Sequence, residues 1–236
     1  MALLLDRDRE RAGPKIVAEV DSVALAEVRE AAAKAGIWLH IGSMPLLDED
    51  SDKWVNRAFL IAPNGDIAAR YDKIHLFDVE LDDGGSWHES GSFARGDKPC
   101  VVDCDLGRIG FAICYDLRFP ALFDRLGSTR PDLILCPAAF TYPTGVAHWH
   151  VLLRARAIET TSYILAAAQT GRHEDGRQTY GHSLAIGPWG EILHDMGEAP
   201  GLAFVSLDLA EPERIRLQLP GLANRQDIDP VEVTPA

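Results

Sequence analysis

The chain has 236 residues, of which 47% are hydrophobic and 25% charged, and its formal net charge at pH 7 is −13. This composition is typical of a soluble globular protein with a sizeable core, and we expect one domain over residues 1–236. The negative charge argues against nucleic acid and against an acidic membrane surface as partners, because both would repel the chain. The expected partner is therefore a small molecule.

Helices and strands alternate along the chain, and several strands are joined by hairpins. A helix is predicted over residues 21–35, where Asp21 or Ser22 can cap the first turn and Gly36 ends the last. The other predicted elements are a strand at 37–41, a solvated loop at 48–50, a hairpin of 57–62 with 66–71 around Asn64-Gly65, a hairpin of 100–104 with 108–113, a helix near 119–127, a strand at 133–136, a helix near 146–160, a strand at 163–168, a β pair of 180–186 with 191–194, a strand at 203–207 and a helix at 211–217. So many hairpins favour an α/β protein with mixed sheets over an all-parallel, doubly wound sheet.

Neither a membrane anchor nor a metal centre is expected. No hydrophobic run approaches the roughly 18 residues that a membrane span requires, and residues 1–9 do not resemble a signal peptide. Four cysteines in a chain of this length do not form a disulfide framework. No second pair of cysteines or histidines complements Cys100 and Cys104 at zinc-finger spacing, and the histidines are scattered. We expect a cytoplasmic protein with reduced thiols.

Cys114 is the first candidate for a chemical role. An apolar stretch runs into it and a polar turn follows, so the segment predicts a strand-to-helix elbow that exposes the thiol. The elbow would also direct the backbone N–H of Tyr115 toward the atom that the sulfur attacks. The alternative is an ordinary buried cysteine, an interpretation that suits Cys136 well.

Lys73 is the second candidate. It follows a predicted strand and precedes apolar residues, so its ammonium can face a partly desolvated place and stabilise an oxyanion. The alternative is a solvated lysine after a hairpin.

The segments around these two residues resemble the signature of the nitrilase superfamily of carbon–nitrogen hydrolases, in order and in approximate spacing. The resemblance extends from about residue 20 to about residue 220. The matching segments are YDKIHLF at 71–77, ES at 89–90, CYDLRFP at 114–120, PAAFT at 137–141, HW at 148–149, LRARAIE at 153–159, GHS at 181–183 and PWGE at 188–191.

This resemblance implies a four-layer α-β-β-α sandwich, a Glu-Lys-Cys catalytic set, no cofactor and a homodimer. Cys114 would attack a carboxamide carbon, while Lys73 and the Tyr115 N–H hold the developing oxyanion. Ammonia would leave, and water would cleave the thioester. Glu89 corresponds to a supporting carboxylate that orients Lys73 and hydrogen-bonds substrate or water, with a surface loop acid as the alternative.

Within the superfamily, the sequences of these segments are most similar to the Nit branch, whose amidases act on α-keto acid amides. Their substrates carry carboxylates, and Arg118 on the elbow is a good bidentate ligand for such a group. Phe140 and Thr144 can line the same pocket. Alternatives are an ion pair of Arg118 with Asp116 and plain core packing of Phe140. His148, His75 and His182 are interpreted equally well as packing residues.

In the resembling family, the general-base glutamate falls just upstream of the position that Met1 occupies here. We therefore expect this chain to lack both that residue and the first strand–helix–strand unit, through truncation or as a natural variant that binds ligand silently. Loss of a general base lowers the rate by about 10²- to 10⁴-fold. A serine hydrolase is disfavoured because no Gly-x-Ser-x-Gly elbow occurs.

Overall fold

The computed structural model describes residues 9–80, 86–174 and 176–234. Its α-helices are α1 (Arg9–Ala12), α2 (Val23–Ala35), α3 (Pro120–Ser128), α4 (Tyr142–Thr160) and α5 (Glu211–Gln218). Its strands are β1 (Leu39–Leu47), β2 (Trp54–Ile61), β3 (Ile67–Asp72), β4 (Asp78–Glu80), β5 (Ser86–His88), β6 (Val101–Cys104), β7 (Gly107–Phe111), β8 (Leu133–Leu135), β9 (Tyr163–Ala166), β10 (Thr170–Arg172), β11 (Gln178–Tyr180), β12 (Leu184–Ile186) and β13 (Ile192–Asp195). No helix within these ranges is long and apolar enough to cross a bilayer.

The strands form two main sheets and two short ribbons. One sheet has the order β1-β2-β3 and is antiparallel, and the other has the order β13-β12-β9-β8-β7-β6. In the second sheet β7, β8 and β9 run parallel, whereas the outer pairs are antiparallel. The ribbons pair β4 with β5 and β10 with β11. The expected mixed sheets are confirmed.

Three apolar layers hold four structural layers together. Helix α2 packs on the outer face of the three-stranded sheet, the two sheets face each other, and α3 and α4 cover the far side of the six-stranded sheet. On β7, Ile109 and Phe111 face the other sheet, whereas Gly110 faces Ile134 and the helical layer. A sheet covered on both faces requires unbroken apolar strands, which explains the composition of this segment. The α-β-β-α sandwich is confirmed.

Local sequence signals account for most element boundaries. Ser22 Oγ accepts a hydrogen bond from the Leu25 N–H at 3.2 Å, and Gly36 ends α2 with a φ of 64°. Gly65 has a φ of 85°, and a Cβ there would lie 3.0 Å from the Arg29 carbonyl oxygen, so glycine is required at this turn. Helix α4 begins before the predicted 146 because Pro143 suits the first turn of a helix.

Two β predictions are wrong. The segment 180–186 is not one strand, because positive φ angles at Gly181 (75°) and His182 (52°) turn the chain between β11 and β12. The segment 203–207 is not a strand either. Its side chains alternate, with Val205 half-buried and Phe204 89% exposed. It forms no ladder with the strands that the structure describes, and alternation alone cannot supply a hydrogen-bonding partner.

Candidate active site

Cys114 lies on a tight elbow between β7 and a short 3₁₀ helix, Cys114–Arg118. Its φ of 51° is uncommon for a residue other than glycine and persists only where surrounding contacts fix it. The Cys114 N–H donates to the Pro137 carbonyl oxygen at 2.9 Å, which ties the elbow to the segment that follows β8. The elbow follows the sequence prediction, but the residue on it is less exposed than predicted, because Cys114 is half-buried.

Asp116 fixes the elbow from inside the protein. Its fully buried carboxylate accepts hydrogen bonds from the Ile113 N–H at 2.9 Å, the His75 N–H at 3.0 Å and the Tyr71 hydroxyl at 2.7 Å. His75 Nδ1 lies 2.8 Å from the same carboxylate. One side chain therefore joins the turn of the nucleophile to the segment that carries Lys73.

Lys73 and Glu89 form a buried ion pair next to the elbow. Lys73 follows β3 and is 3% exposed, and its Nζ lies 2.5 Å from Glu89 Oε2. The same carboxylate oxygen accepts a hydrogen bond from the Phe77 N–H at 2.6 Å. Burial disfavours the charged form of Lys73, but the carboxylates of Glu89 and Asp116, together with Cys114 once it is ionised, outweigh burial, so the pKa of the ammonium lies above its usual range.

The surroundings of Cys114 favour its neutral thiol over the thiolate. Burial raises the pKa of Cys114, and this effect exceeds the opposite effects of the Lys73 ammonium and of the Ala139 backbone N–H. The Glu89 carboxylate raises the pKa further. The site therefore needs a group that accepts the thiol proton as the sulfur attacks.

A cavity of about 790 Å³ opens over these groups. Cys114, Lys73, Glu89 and Tyr115 lie in its wall. The remaining wall is aromatic and polar, as ligand pockets of this size usually are. It includes Trp54, Phe77, Trp87, Phe93, Phe140, Tyr142, Thr141, Thr144, Arg177, Gln178 and Thr179.

The three residues predicted to bind substrate lie in different surroundings. Phe140 and Thr144 line the cavity, although Phe140 also packs on Trp149 with ring centroids 5.0 Å apart. The Arg118 guanidinium lies over the rings of Phe140 and Tyr115, at 5.2 and 5.9 Å, and thus behind the wall. Its Nη1 is 3.2 Å from His148 Nδ1. Asp116, the alternative ion-pair partner, is bonded to Tyr71 and His75 instead.

Sequence reasoning missed several groups at this site. Asp116 gave no signal of its own because its partner Tyr71 lies 45 residues away in the chain. The Ala139 N–H acts through its backbone, which no side-chain pattern reveals. Arg177 enters the cavity wall from the β10–β11 ribbon. Arg156 lies outside the cavity wall and has a structural role, because it donates to Glu159 at 2.8 Å and to the Leu117 carbonyl oxygen at 3.1 Å.

Known proteins are similar to this chain in sequence and in fold. The profile of the family described as carbon-nitrogen hydrolase matches residues 5–216. The protein of Yersinia enterocolitica named deaminated glutathione amidase is 44% identical over 202 residues, which cover 85% of this chain and 71% of that protein. The crystal structure of the C. elegans NitFhit protein matches with a TM-score of 0.81 and 38% identity, over 88% of this chain and 51% of that one.

A third protein of similar structure has a covalently modified cysteine. It is a mutant amidase from Nesterenkonia sp. AN1, with the acetamide moiety of fluoroacetamide covalently added at the active-site cysteine. It has a TM-score of 0.69 and 28% identity, over 86% of this chain and 70% of that one. Across several curated relatives, this chain spans 63% to 75% of their length.

The sandwich, the elbow and the family profile together define the class: the chain belongs to the carbon–nitrogen hydrolase family of the nitrilase superfamily. Within that superfamily, its relatives and structural neighbours make it a member of the Nit branch.

Proposed function

We propose that this protein hydrolyses a small carboxamide through a thioester on Cys114, with release of ammonia. The observation that carries the proposal is the placement of a strained cysteine elbow beside a buried Lys73–Glu89 pair in one cavity. The Nesterenkonia amidase, whose active-site cysteine takes up an acetamide group, supports a nucleophilic sulfur in this fold.

Each group has a defined task in the proposed reaction. The Cys114 sulfur attacks the carboxamide carbon, and its proton passes through a base to the departing nitrogen, which leaves as ammonia. Lys73 Nζ and the Tyr115 N–H stabilise the negative charge that develops on the substrate oxygen. Glu89 holds Lys73 in place and keeps it charged. Water then cleaves the thioester, which releases the carboxylic acid and restores the thiol.

A second candidate is a member of the family that binds its ligand but turns over slowly. Glu89 already engages the Lys73 ammonium and the Phe77 N–H, so its carboxylate is poorly placed to take the thiol proton. With the thiol pKa raised, attack depends on another base. This candidate predicts ligand affinity without release of ammonia.

For the substrate we propose an α-keto acid amide, with deaminated glutathione as the leading candidate. Relatives at 38–48% identity carry the name deaminated glutathione amidase. Arg177 lies in the cavity wall, and its guanidinium is well suited to a carboxylate of such a substrate, whereas Arg118 stacks on Phe140 behind that wall.

We further propose a homodimer in the cytoplasm. Val151 and Ile158 are 67% and 51% exposed on α4, two turns apart on one face, which suits an apolar contact between copies. All four cysteines are free, as in a reducing compartment. Light scattering on the purified protein gives the oligomeric mass, and a monomer at micromolar concentration would contradict the dimer.

The test of the reaction is intact-protein mass spectrometry with ammonia measured in parallel. We expect deaminated glutathione to add an acyl group, trapped by rapid acid quenching, to the wild type and to Cys100→Ser but not to Cys114→Ser. Cys100 is half-buried like Cys114 and so provides the matched control. An adduct that persists in Cys114→Ser would refute the assignment of Cys114 as the nucleophile. Saturable binding of the amide with neither adduct nor ammonia would favour the second candidate.

A further inference from the structure

Two histidines and an aspartate meet outside the cavity that contains Cys114. His150 lies on α4, His182 lies between β11 and β12, and Asp195 ends β13. The Asp195 carboxylate lies between the two rings, with Oδ2 3.0 Å from His150 Nε2 and Oδ1 2.9 Å from His182 Nδ1. One potential ligand atom from each of the three side chains lies within 4.8 Å of the others.

We propose that His150, His182 and Asp195 bind a divalent transition-metal ion, with zinc as the preferred ion. Two imidazole nitrogens and one carboxylate oxygen form a donor set that suits Zn²⁺ and leaves a fourth tetrahedral position for water. With metal–ligand distances of about 2.0–2.2 Å, neighbouring donors of a tetrahedral site lie about 3.3 Å apart. The histidine–carboxylate separations are already close to this value, so small rotations of the three side chains admit the ion.

The surroundings hold the three ligands in place before any ion binds. The Tyr180 ring stacks on His182, with centroids 4.3 Å apart, and meets His150 edge-on at 5.9 Å. The Gly197 N–H donates to Asp195 Oδ1 at 2.8 Å. The His182 carbonyl oxygen accepts a hydrogen bond from the indole of the fully buried Trp149 at 2.8 Å. Ligands fixed in this way lose little conformational entropy on binding.

Access from solvent is also present. The three side chains are 20% to 31% exposed, so an ion can reach them without unfolding. Because the ligands come from three separate segments, a bound ion would cross-link α4 to the β12–β13 hairpin. Its expected effect is on stability, which rises with the concentration of any ligand that binds only the folded state. This readout does not depend on amide hydrolysis.

The alternative is a hydrogen-bonded cluster in which Asp195 simply bridges two imidazoles. Zinc titration by calorimetry distinguishes the two, with the full chain carrying Cys114→Ser so that the active-site thiol does not compete. After removal of metal with a chelator, we expect one equivalent of Zn²⁺ to bind and the melting temperature to rise with zinc concentration. Cobalt should give the visible spectrum of a tetrahedral nitrogen–oxygen site.

Variants locate the site. Loss of a supporting contact to a metal ligand lowers affinity by about 10- to 100-fold, so we expect His150→Ala and Asp195→Asn to lower it by about 100-fold or more. His194→Ala, an exposed neighbour outside the cluster, is the matched control and should bind like the parent. If Asp195→Asn does not fold, the zinc affinity of His150→Gln, a substitution on the surface of α4, decides whether the cluster binds the ion. Absence of saturable binding, equal binding by the His150 variants, or a thiolate-type cobalt spectrum would overturn the proposal.

Discussion

Replacing Asp116 with asparagine tests how the elbow of the nucleophile is held. Each oxygen of the buried carboxylate serves two groups: Oδ2 serves the Ile113 N–H and the Tyr71 hydroxyl, and Oδ1 serves the N–H and ring of His75. An amide NH₂ must replace one oxygen, so at least one buried backbone N–H loses its acceptor. An unsatisfied buried group costs about 1–3 kcal/mol, and the remaining bonds also lose their ionic component.

We therefore expect Asp116→Asn to lower the free energy of unfolding by about 2–4 kcal/mol, a large part of the 5–15 kcal/mol typical of a domain. Urea denaturation followed by circular dichroism should show a lower midpoint with an unchanged slope. Asp103→Asn, which alters an exposed pair with Arg108, is the control and should keep the wild-type midpoint. If Asp116→Asn unfolds at the same urea concentration as the wild type, the carboxylate does not hold the elbow.

Two further predictions concern the charge of the site. Lys73→Met removes the cation that lowers the pKa of Cys114, so iodoacetamide should alkylate Cys114 more slowly at pH 8. Amide turnover by Lys73→Met should fall by about 10²- to 10³-fold, as for loss of an oxyanion donor. Turnover at the wild-type rate would contradict the role of Lys73 in stabilising the oxyanion. The control is Lys98→Met, which changes an exposed lysine. In the wild type, burial raises the pKa of Cys114 above that of an ordinary thiol, so the alkylation rate should still be rising in the alkaline range. A plateau below pH 8, measured by peptide mapping, would show that the resting sulfur is already a thiolate.

The same shifts set the sign of the pH dependence of stability. The pKa values of Cys114 and Lys73 are both raised in the folded state. A group with a raised folded pKa contributes stability that is present below its unfolded pKa and is lost as the pH rises through the folded one. The site therefore favours the folded state near neutral pH, and its contribution declines in the alkaline range.

Sequence patterns predicted the parts of the fold that depend on local chemistry. Short stretches of sequence were enough to predict the cap at Ser22 and the turn at Gly65. They were also enough to predict the apolar strands of the six-stranded sheet. The strand predicted at 203–207 failed because a ladder needs a partner from elsewhere in the sequence. Likewise, Cys114 and Lys73 could be singled out as a pair only through the resemblance to a family, since 41 residues separate them.

The site shows the same division. The charges of Lys73 and Glu89 can be read from the sequence, but their contact at 2.5 Å depends on how β3 packs against the 3₁₀ helix Glu89–Gly91. From the sequence, Asp116 was considered only as an ion-pair partner of Arg118, because sequence patterns indicate contacts only between residues about four positions apart or fewer. Apart from the nearby Ile113 N–H, its partners are Tyr71 on β3 and His75 in the segment that follows β3. The His150–His182–Asp195 cluster has no spacing signal at all, because three separate elements supply its members.

The two short ribbons give this fold a way to change its substrate without disturbing its nucleophile. Cys114 is anchored to the six-stranded sheet through Pro137, whereas Trp87 on β5 and Thr179 on β11 reach the cavity from strands outside both main sheets. Mutations in the ribbons can therefore reshape the mouth of the cavity while the attacking sulfur keeps its orientation. Selection for new amides, in the laboratory or in evolution, would be expected to act first on these peripheral strands.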